Sequence, residues 1–275
     1  METFNWYLSD SIGENQPFIK ACLLERMPME QELLPAVLIC PGGGYTHLSP
    51  REAEPVALAF AAKGYQTFIL HYRLLPKHYP QPLLDAANAM STIRKHAKEW
   101  RVDPNRIAMC GFSAGGHLTA VTSTLANSPI LQEAGFDTGD VRPNAAILCY
   151  GVTGTINMTT EEEKSYAGRF LGEDAANPEL QKIIRLYQHV TPDNPPTFLW
   201  HTAADTRVPV ENSLSMAMAL SAQKVPFELH VFPEGRHGLS LANERTFNGD
   251  PNMIRPEVAK WFELCCDWLQ RTLNK

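Results

Sequence analysis

Gly111-Phe112-Ser113-Ala114-Gly115 sets a serine between two glycines, where the apolar run Arg106-Ile107-Ala108-Met109-Cys110 gives way to the helix-forming Gly116-His117-Leu118-Thr119-Ala120-Val121. A serine hydroxyl is a weak nucleophile unless a base takes its proton and donors stabilise the charge that develops during attack. A tight strand-to-helix turn exposes the oxygen at the positive end of the following helix, and glycines relieve the crowding of such a turn. By chance, a chain of this composition holds about 0.05 matches to G-x-S-x-G. The chemistry therefore depends on a base, an acid and a donor loop occurring where the turn requires them.

A base must reach the serine oxygen, and an acid must hold that base in the right tautomer. In a strand-turn-helix fold of this kind both follow the serine, acid first, each on a loop after a late strand. Asp205 follows Phe198-Leu199-Trp200-His201 through Thr202-Ala203-Ala204, and His237 follows Phe227 to Phe232 through Pro233-Glu234-Gly235-Arg236. Taken singly, Asp205 reads as a cap before Val210-Glu211 and His237 as a surface-loop histidine. Their order and strand-end positions together favour a Ser113, Asp205, His237 triad. Among the other histidines, His117 lies a turn deeper on the serine's helix and suits packing, His201 and His230 fall within strands, and His71 ends an early one.

Pro41-Gly42-Gly43-Gly44-Tyr45 directly follows the strand-like Val37-Leu38-Ile39-Cys40. Glycines let a backbone approach an oxygen closely, so the oxyanion donors are expected to be the N–H groups of Ala114 and of Gly43 or Gly44. A phosphate-binding turn is the competing reading, but the loop lacks G-x-G-x-x-G spacing and runs on into Tyr45-Thr46-His47-Leu48-Ser49-Pro50. Tyr45, His47, Phe112 and Val152 are the candidate walls of a substrate pocket.

These residues need a frame. Short apolar runs at 36–40, 67–72, 107–110, 145–150, 197–201 and 227–232 suit strands buried on both faces of a mainly parallel sheet. Helical periodicity over Leu83 to Trp100, Glu211 to Lys224 and Pro256 to Asn274 alternates with them, which points to one doubly wound α/β domain over residues 1–275. Residues 153 to 189 break the rhythm and read as a small lid-like insertion with one or two short helices over the ligand-binding end. Leu241 to Arg255, with Asn248-Gly249-Asp250-Pro251, reads as a surface loop.

Hydrophobic content of 44 %, with 20 % charged residues, is ordinary for a globular chain, and a net charge of −6 gives no reason to expect nucleic acid. No apolar run is long enough to span a bilayer, so no membrane partner is expected. The N-terminus lacks the pattern of a secretory signal, and the spacing of the six cysteines fits neither a disulfide framework nor a zinc site. The expectation is a cytoplasmic protein with small buried thiols, no metal and no cofactor; homo-oligomers are compatible with it.

Five segments together resemble the α/β-hydrolase superfamily and, within it, small serine esterases. PGGGY at 41–45 is similar to the glycine oxyanion loop of hormone-sensitive-lipase-like esterases, and HYRLLPKHYPQPLLDA at 71–86 to their tyrosine-arginine-leucine stretch. GFSAGGH at 111–117, HTAADTRVPVENS at 201–213 and GRHGL at 235–239 look closer to the acetyl-esterase and feruloyl-esterase-like group. The resemblance implies nucleophile, acid and base roles for Ser113, Asp205 and His237, and oxyanion roles for Gly43, Gly44 and Ala114. Pro41 stands where the usual loop begins with histidine, Phe112 stands where hormone-sensitive-lipase-like enzymes carry an acid, and the N-terminal segment is too short for their helical cap.

The leading expectation is a serine carboxylesterase that removes acetyl or other short acyl groups from a small hydroxylated ester, an acetylated sugar or oligosaccharide by resemblance alone, through an acyl-enzyme. Two alternatives stand beside it. The same residues permit amide hydrolysis, as in an arylformamidase or small peptidase, and a hydrolase scaffold can serve as a non-catalytic binding protein.

Overall fold

The computed structural model describes residues 1–9, 15–25, 33–154 and 157–274. Strands β1 (Glu2–Tyr7), β2 (Phe18–Leu23), β3 (Leu34–Cys40), β4 (Gln66–His71), β5 (Val102–Phe112), β6 (Ala145–Cys149), β7 (Thr197–Thr202) and β8 (Phe227–Phe232) form one sheet. Their spatial order is β1-β2-β4-β3-β5-β6-β7-β8. Strand β2 pairs antiparallel with β1 and β4, and every neighbouring pair from β4 to β8 is parallel. The loops after β3, β5, β7 and β8 therefore leave the sheet at one edge, where ligands of open α/β sheets bind.

The described helices are α1 (Glu54–Ala61), α2 (Gln81–Lys95), α3 (Ala114–Thr124), α4 (Pro129–Glu133), α5 (Thr138–Val141), α6 (Thr160–Leu171), α7 (Pro178–Ile184), α8 (Glu211–Ala222), α9 (Pro256–Ala259) and α10 (Trp261–Leu273). Side chains alternate across the sheet, so Ala36, Leu38 and Cys40 of β3 join a core with α2, α3 and α8, while Val37 and Ile39 join a second core with α1 and α10. All five are fully buried. Continuous apolar strands are the sequence signature of such a doubly covered sheet.

Two elements depart from the sequence reading because apolar contacts extend beyond the periodic runs. Strands β1 and β2 were not expected; Phe4 and Trp6 alternate with exposed neighbours and pack on Trp100 at ring separations of 5.8 and 5.4 Å. The segment 241–255 is not a simple surface loop, since Leu241, Ala242, Thr246 and Met253 are buried. Arg51 donates to the Thr246 carbonyl at 3.1 Å, and the Arg255 N–H to that of Ala242 at 2.9 Å. The predicted helix 83–100 runs from Gln81 to Lys95, and the last helix divides at Lys260.

Sheet and helices are also joined by polar contacts. Asp85 on α2 is buried and receives Arg73 Nη2 at 2.5 Å and the Arg73 N–H at 2.8 Å, which fixes the chain leaving β4. All six cysteines are buried and unpaired. No helix among the described residues is long and apolar enough to cross a membrane.

Trp200 on β7 is fully buried, stacks on Trp261 of α10 at 5.1 Å and meets Tyr150 edge-on at 4.9 Å. Trp200→Ala should cost about 3–5 kcal/mol through lost transfer energy and an unfilled cavity. Urea unfolding of the two proteins measures this; a loss below about 1 kcal/mol would show that the second core does not depend on that stack.

Candidate active site

Ser113 joins β5 to α3 with φ 52° and ψ −116°, a backbone conformation unusual for any residue with a side chain. Its carbonyl accepts the His117 N–H at 3.0 Å and its own N–H donates to Cys149 at 3.0 Å, so helix and sheet hold it from both sides. The flanking glycines are needed for close approach. A Cβ on Gly111 would overlap the Gly115 carbonyl, and one on Gly115 would overlap the Cys40 carbonyl at the end of β3.

The late loops bring two further groups to this turn. His237 Nε2 lies 2.8 Å from Ser113 Oγ, and His237 Nδ1 lies 2.6 Å from Asp205 Oδ2. With the Nδ1 proton donated to Asp205, a neutral imidazole presents an acceptor at Nε2 to the serine hydroxyl. Asp205 is held in turn: its Oδ1 accepts the N–H groups of Arg207 at 2.9 Å and Val208 at 3.0 Å. The turn that would make Asp205 an ordinary cap residue is the turn that orients its carboxylate.

A second histidine, not singled out by the sequence, supports the same acid. His201 is fully buried at the end of β7, donates from Nε2 to the Val208 carbonyl at 2.9 Å and lies 3.4 Å from Asp205 Oδ2. Ser213 Oγ, 2.8 Å away, caps its Nδ1. Burial opposes ionisation of Asp205, but the adjacent His201 and His237 rings and the Val208 N–H outweigh it and hold the carboxyl well below the usual carboxylate range. Spacing from Asp205 is the signal that could have found His201, since it sits four residues ahead of the acid.

The glycine loop lies beside the serine. The Ser49 N–H donates to Gly42 at 2.9 Å and the Thr46 N–H to Gly43 at 3.1 Å, while the Tyr72 hydroxyl donates to the Pro41 carbonyl at 2.7 Å. Pro41 is thus braced by Tyr72, the residue that follows β4, rather than by a side chain of its own. Gly43 and Gly44 adopt φ 129° and 63°, and among the described residues their N–H groups donate to no protein acceptor. Ala114 opens α3, so its N–H also lacks an intrahelical partner.

The expected pocket walls need correction. Phe112 is fully buried on the α1/α10 side, against Tyr150 and Trp261, because strand alternation turns its side chain away from the serine's loop edge. Tyr45 and Val152 are 1 % and 2 % exposed and belong to the other core. The Tyr45 hydroxyl bonds His117 Nδ1 at 2.8 Å, and burial lowers the His117 pKa to about 3, which keeps that ring neutral. Of the four, only His47 is exposed, beside Gly43.

Within the insertion, Thr155 and Ile156 lie outside the described residues. Helix α6 starts with a capping box between Thr159 and Glu162, and its Tyr166 and Phe170 pack against Tyr45 and His117. A cavity of about 790 Å³ beside Lys20, Glu54 and His71 contains none of Ser113, Asp205 and His237. Among the described residues no cluster of ligands suited to a metal ion occurs.

Comparison with known proteins relates this chain to proteins named as hydrolases and esterases. The family model BD-FAE matches residues 25–220. The chain is 35 % identical to an acetyl ester-xyloside bifunctional hydrolase from Caldicellulosiruptor lactoaceticus, covering 98 % of this chain and 96 % of that one with a TM-score of 0.80. It is 35 % identical over 220 residues to endo-1,4-beta-xylanase B of Butyrivibrio fibrisolvens, covering 78 % of this chain and 34 % of that protein. Over 216 residues it is 32 % identical to an acetylxylan esterase of Xylanibacter ruminicola, covering 75 % of this chain and 41 % of that protein. The chain thus spans less than half the length of these two curated relatives.

The lowered Asp205 pKa has a signed consequence for stability. A carboxyl whose folded pKa lies below its unfolded value of about 3.9 contributes stability that is present above that value and lost as pH falls through the folded pKa. Asp205→Asn should therefore lower unfolding free energy more at pH 7 than at pH 3. Denaturant titrations at the two pH values measure this, and an equal deficit at both would contradict the ionised, hydrogen-bonded carboxylate.

Proposed function

Because the chain belongs to the BD-FAE family of α/β hydrolases, we propose that it is a serine carboxylesterase removing acetyl or other short acyl groups from hydroxylated, carbohydrate-derived substrates. The observation that carries this reading is the unbroken contact from Ser113 Oγ through His237 to Asp205, at 2.8 and 2.6 Å. Ser113 attacks the ester carbonyl as its proton passes to His237 Nε2. Asp205 holds the imidazole and stabilises the imidazolium, and the N–H groups of Ala114, Gly43 and Gly44 receive the oxyanion.

Collapse of the tetrahedral species releases the alcohol, protonated by His237, and leaves an acyl-serine. Water deprotonated by the same histidine then attacks the acyl carbon; the bond from that carbon to Ser113 Oγ breaks, the carboxylic acid leaves, and the histidine returns the proton to Oγ. Side chains and backbone of this chain carry every step. The choice of a carbohydrate-derived alcohol is supported by the relatives named acetyl ester-xyloside bifunctional hydrolase and acetylxylan esterase.

Ser113→Ala should abolish hydrolysis of 4-nitrophenyl acetate and acetylated xylo-oligosaccharides while the protein stays folded; retained turnover in a clean preparation would remove the serine from the mechanism. Asp205→Asn should lower kcat by roughly 10⁴-fold, because the histidine is left in the wrong tautomer. In the wild type, N-formylkynurenine hydrolysed much faster than acetyl esters would establish an amidase instead.

A further inference from the structure

Glu52 closes the short 3-10 helix Pro50–Glu52 after the glycine loop, is 3 % exposed and takes no part in the relay from Ser113 to Asp205. Its Oε2 accepts the Gly42 N–H at 2.8 Å, and its Oε1 accepts the Tyr150 hydroxyl at 2.7 Å. Among the described residues these oxygens meet neutral donors and no cation. A buried carboxylate held by two neutral donors is a costly arrangement unless both donors are firmly placed.

What the two donors belong to gives Glu52 its meaning. Gly42 lies directly against the serine, since a Cβ built on it would come within 2.9 Å of Ser113 Cβ and 2.6 Å of the Phe112 carbonyl oxygen. Tyr150, just after β6, accepts the Ser240 N–H at 2.9 Å and sets its ring edge-on to His237 at 5.1 Å. Ser240 is fixed further: Trp261 Nε1 donates to its carbonyl at 2.9 Å, and its hydroxyl donates to the Arg51 carbonyl at 2.7 Å. Arg51 returns a hydrogen bond to the Gly238 carbonyl at 2.8 Å, beside the histidine itself.

We propose that Glu52 is a positioning residue that holds the glycine loop and the His237 loop in register with Ser113, so that Gly43 and Gly44 meet the oxyanion as it forms. This rests on the serine-esterase reading above and adds to it the group that places the donors. The burial of Tyr150 and the neighbouring Glu52 charge push the tyrosine hydroxyl well above its ordinary pKa, so it stays a donor across the working range. Substrate binding does not need the clamp; the transition state does, because donors contribute most when they are fixed where charge develops.

The test uses kcat and KM for 4-nitrophenyl acetate, together with the affinity of phenylboronic acid. That probe bonds to the serine oxygen and presents a tetrahedral boronate oxygen to the same donors. In Glu52→Gln one amide oxygen must serve two donors. It should lower kcat about 30- to 300-fold, change KM less than about threefold, and weaken phenylboronate binding by a factor similar to the kcat loss. Tyr150→Phe keeps the ring and the Glu52 contact to Gly42, so it should show the same pattern with a loss of about 3- to 30-fold.

Unchanged kcat in folded Glu52→Gln overturns the proposal, as does a loss explained by folded fraction with phenylboronate affinity intact. If Glu52→Gln does not fold, Tyr150→Phe decides by the same criteria. A wild type inert toward esters overturns the esterase reading and this role together, whereas an active wild type with unchanged variants overturns this role alone.

Discussion

Three stretches of backbone meet at one point of the molecule, and the remaining site geometry follows from their contact. The start of α3 presses on the end of β3, the end of β5 presses on α3, and the glycine loop presses on the serine between them; at each contact the chain carries a glycine where a Cβ would collide. Packing of this kind leaves Ser113 with a positive φ of 52°. Such a conformation costs on the order of 1–3 kcal/mol and persists only where its surroundings over-determine it. Here they do so through two fully buried cores on opposite faces of the same strands.

Parallel pairing from β4 to β8 converts that local constraint into a site. Because all these strands end at one edge, loops distant in sequence deliver a histidine and an acid to the serine without any long reach. Electrostatics then sharpen the placement. Asp205 is buried, yet three hydrogen-bond donors and the nearby His201 ring keep it ionised, and its negative charge selects the histidine tautomer that can accept a proton from Ser113. Tightly held groups need little reorganisation when charge moves during reaction.

Much of this was legible in the sequence, for identifiable reasons. Strands buried on both faces read as short apolar runs, and the tight turn at Ser113 reads through its glycines. The meeting of Asp205 and His237 at that turn reads through their order after late strands. What escaped depends on contacts between distant segments. Phe112, Tyr45 and Val152 lie next to the motifs but turn into the cores, and a single sequence does not reveal which side of a strand end faces a pocket. Glu52 escaped because one of its two partners, Tyr150, is 98 residues away, and His201 because a histidine inside an apolar strand reads as packing even with Asp205 four residues on. The hairpin of β1 and β2 has only a short alternation of Phe4 and Trp6 to announce it.

In the proposed reaction, chemistry passes through a covalent acyl group on Ser113. Rapid quenching of the wild-type enzyme during turnover of 4-nitrophenyl acetate, followed by intact-mass measurement and peptide mapping, tests it directly. One acetyl group per chain is expected, located on Ser113 and appearing in step with the first burst of 4-nitrophenol. Steady turnover with no acetyl on Ser113, or with the acetyl on another residue, would contradict it.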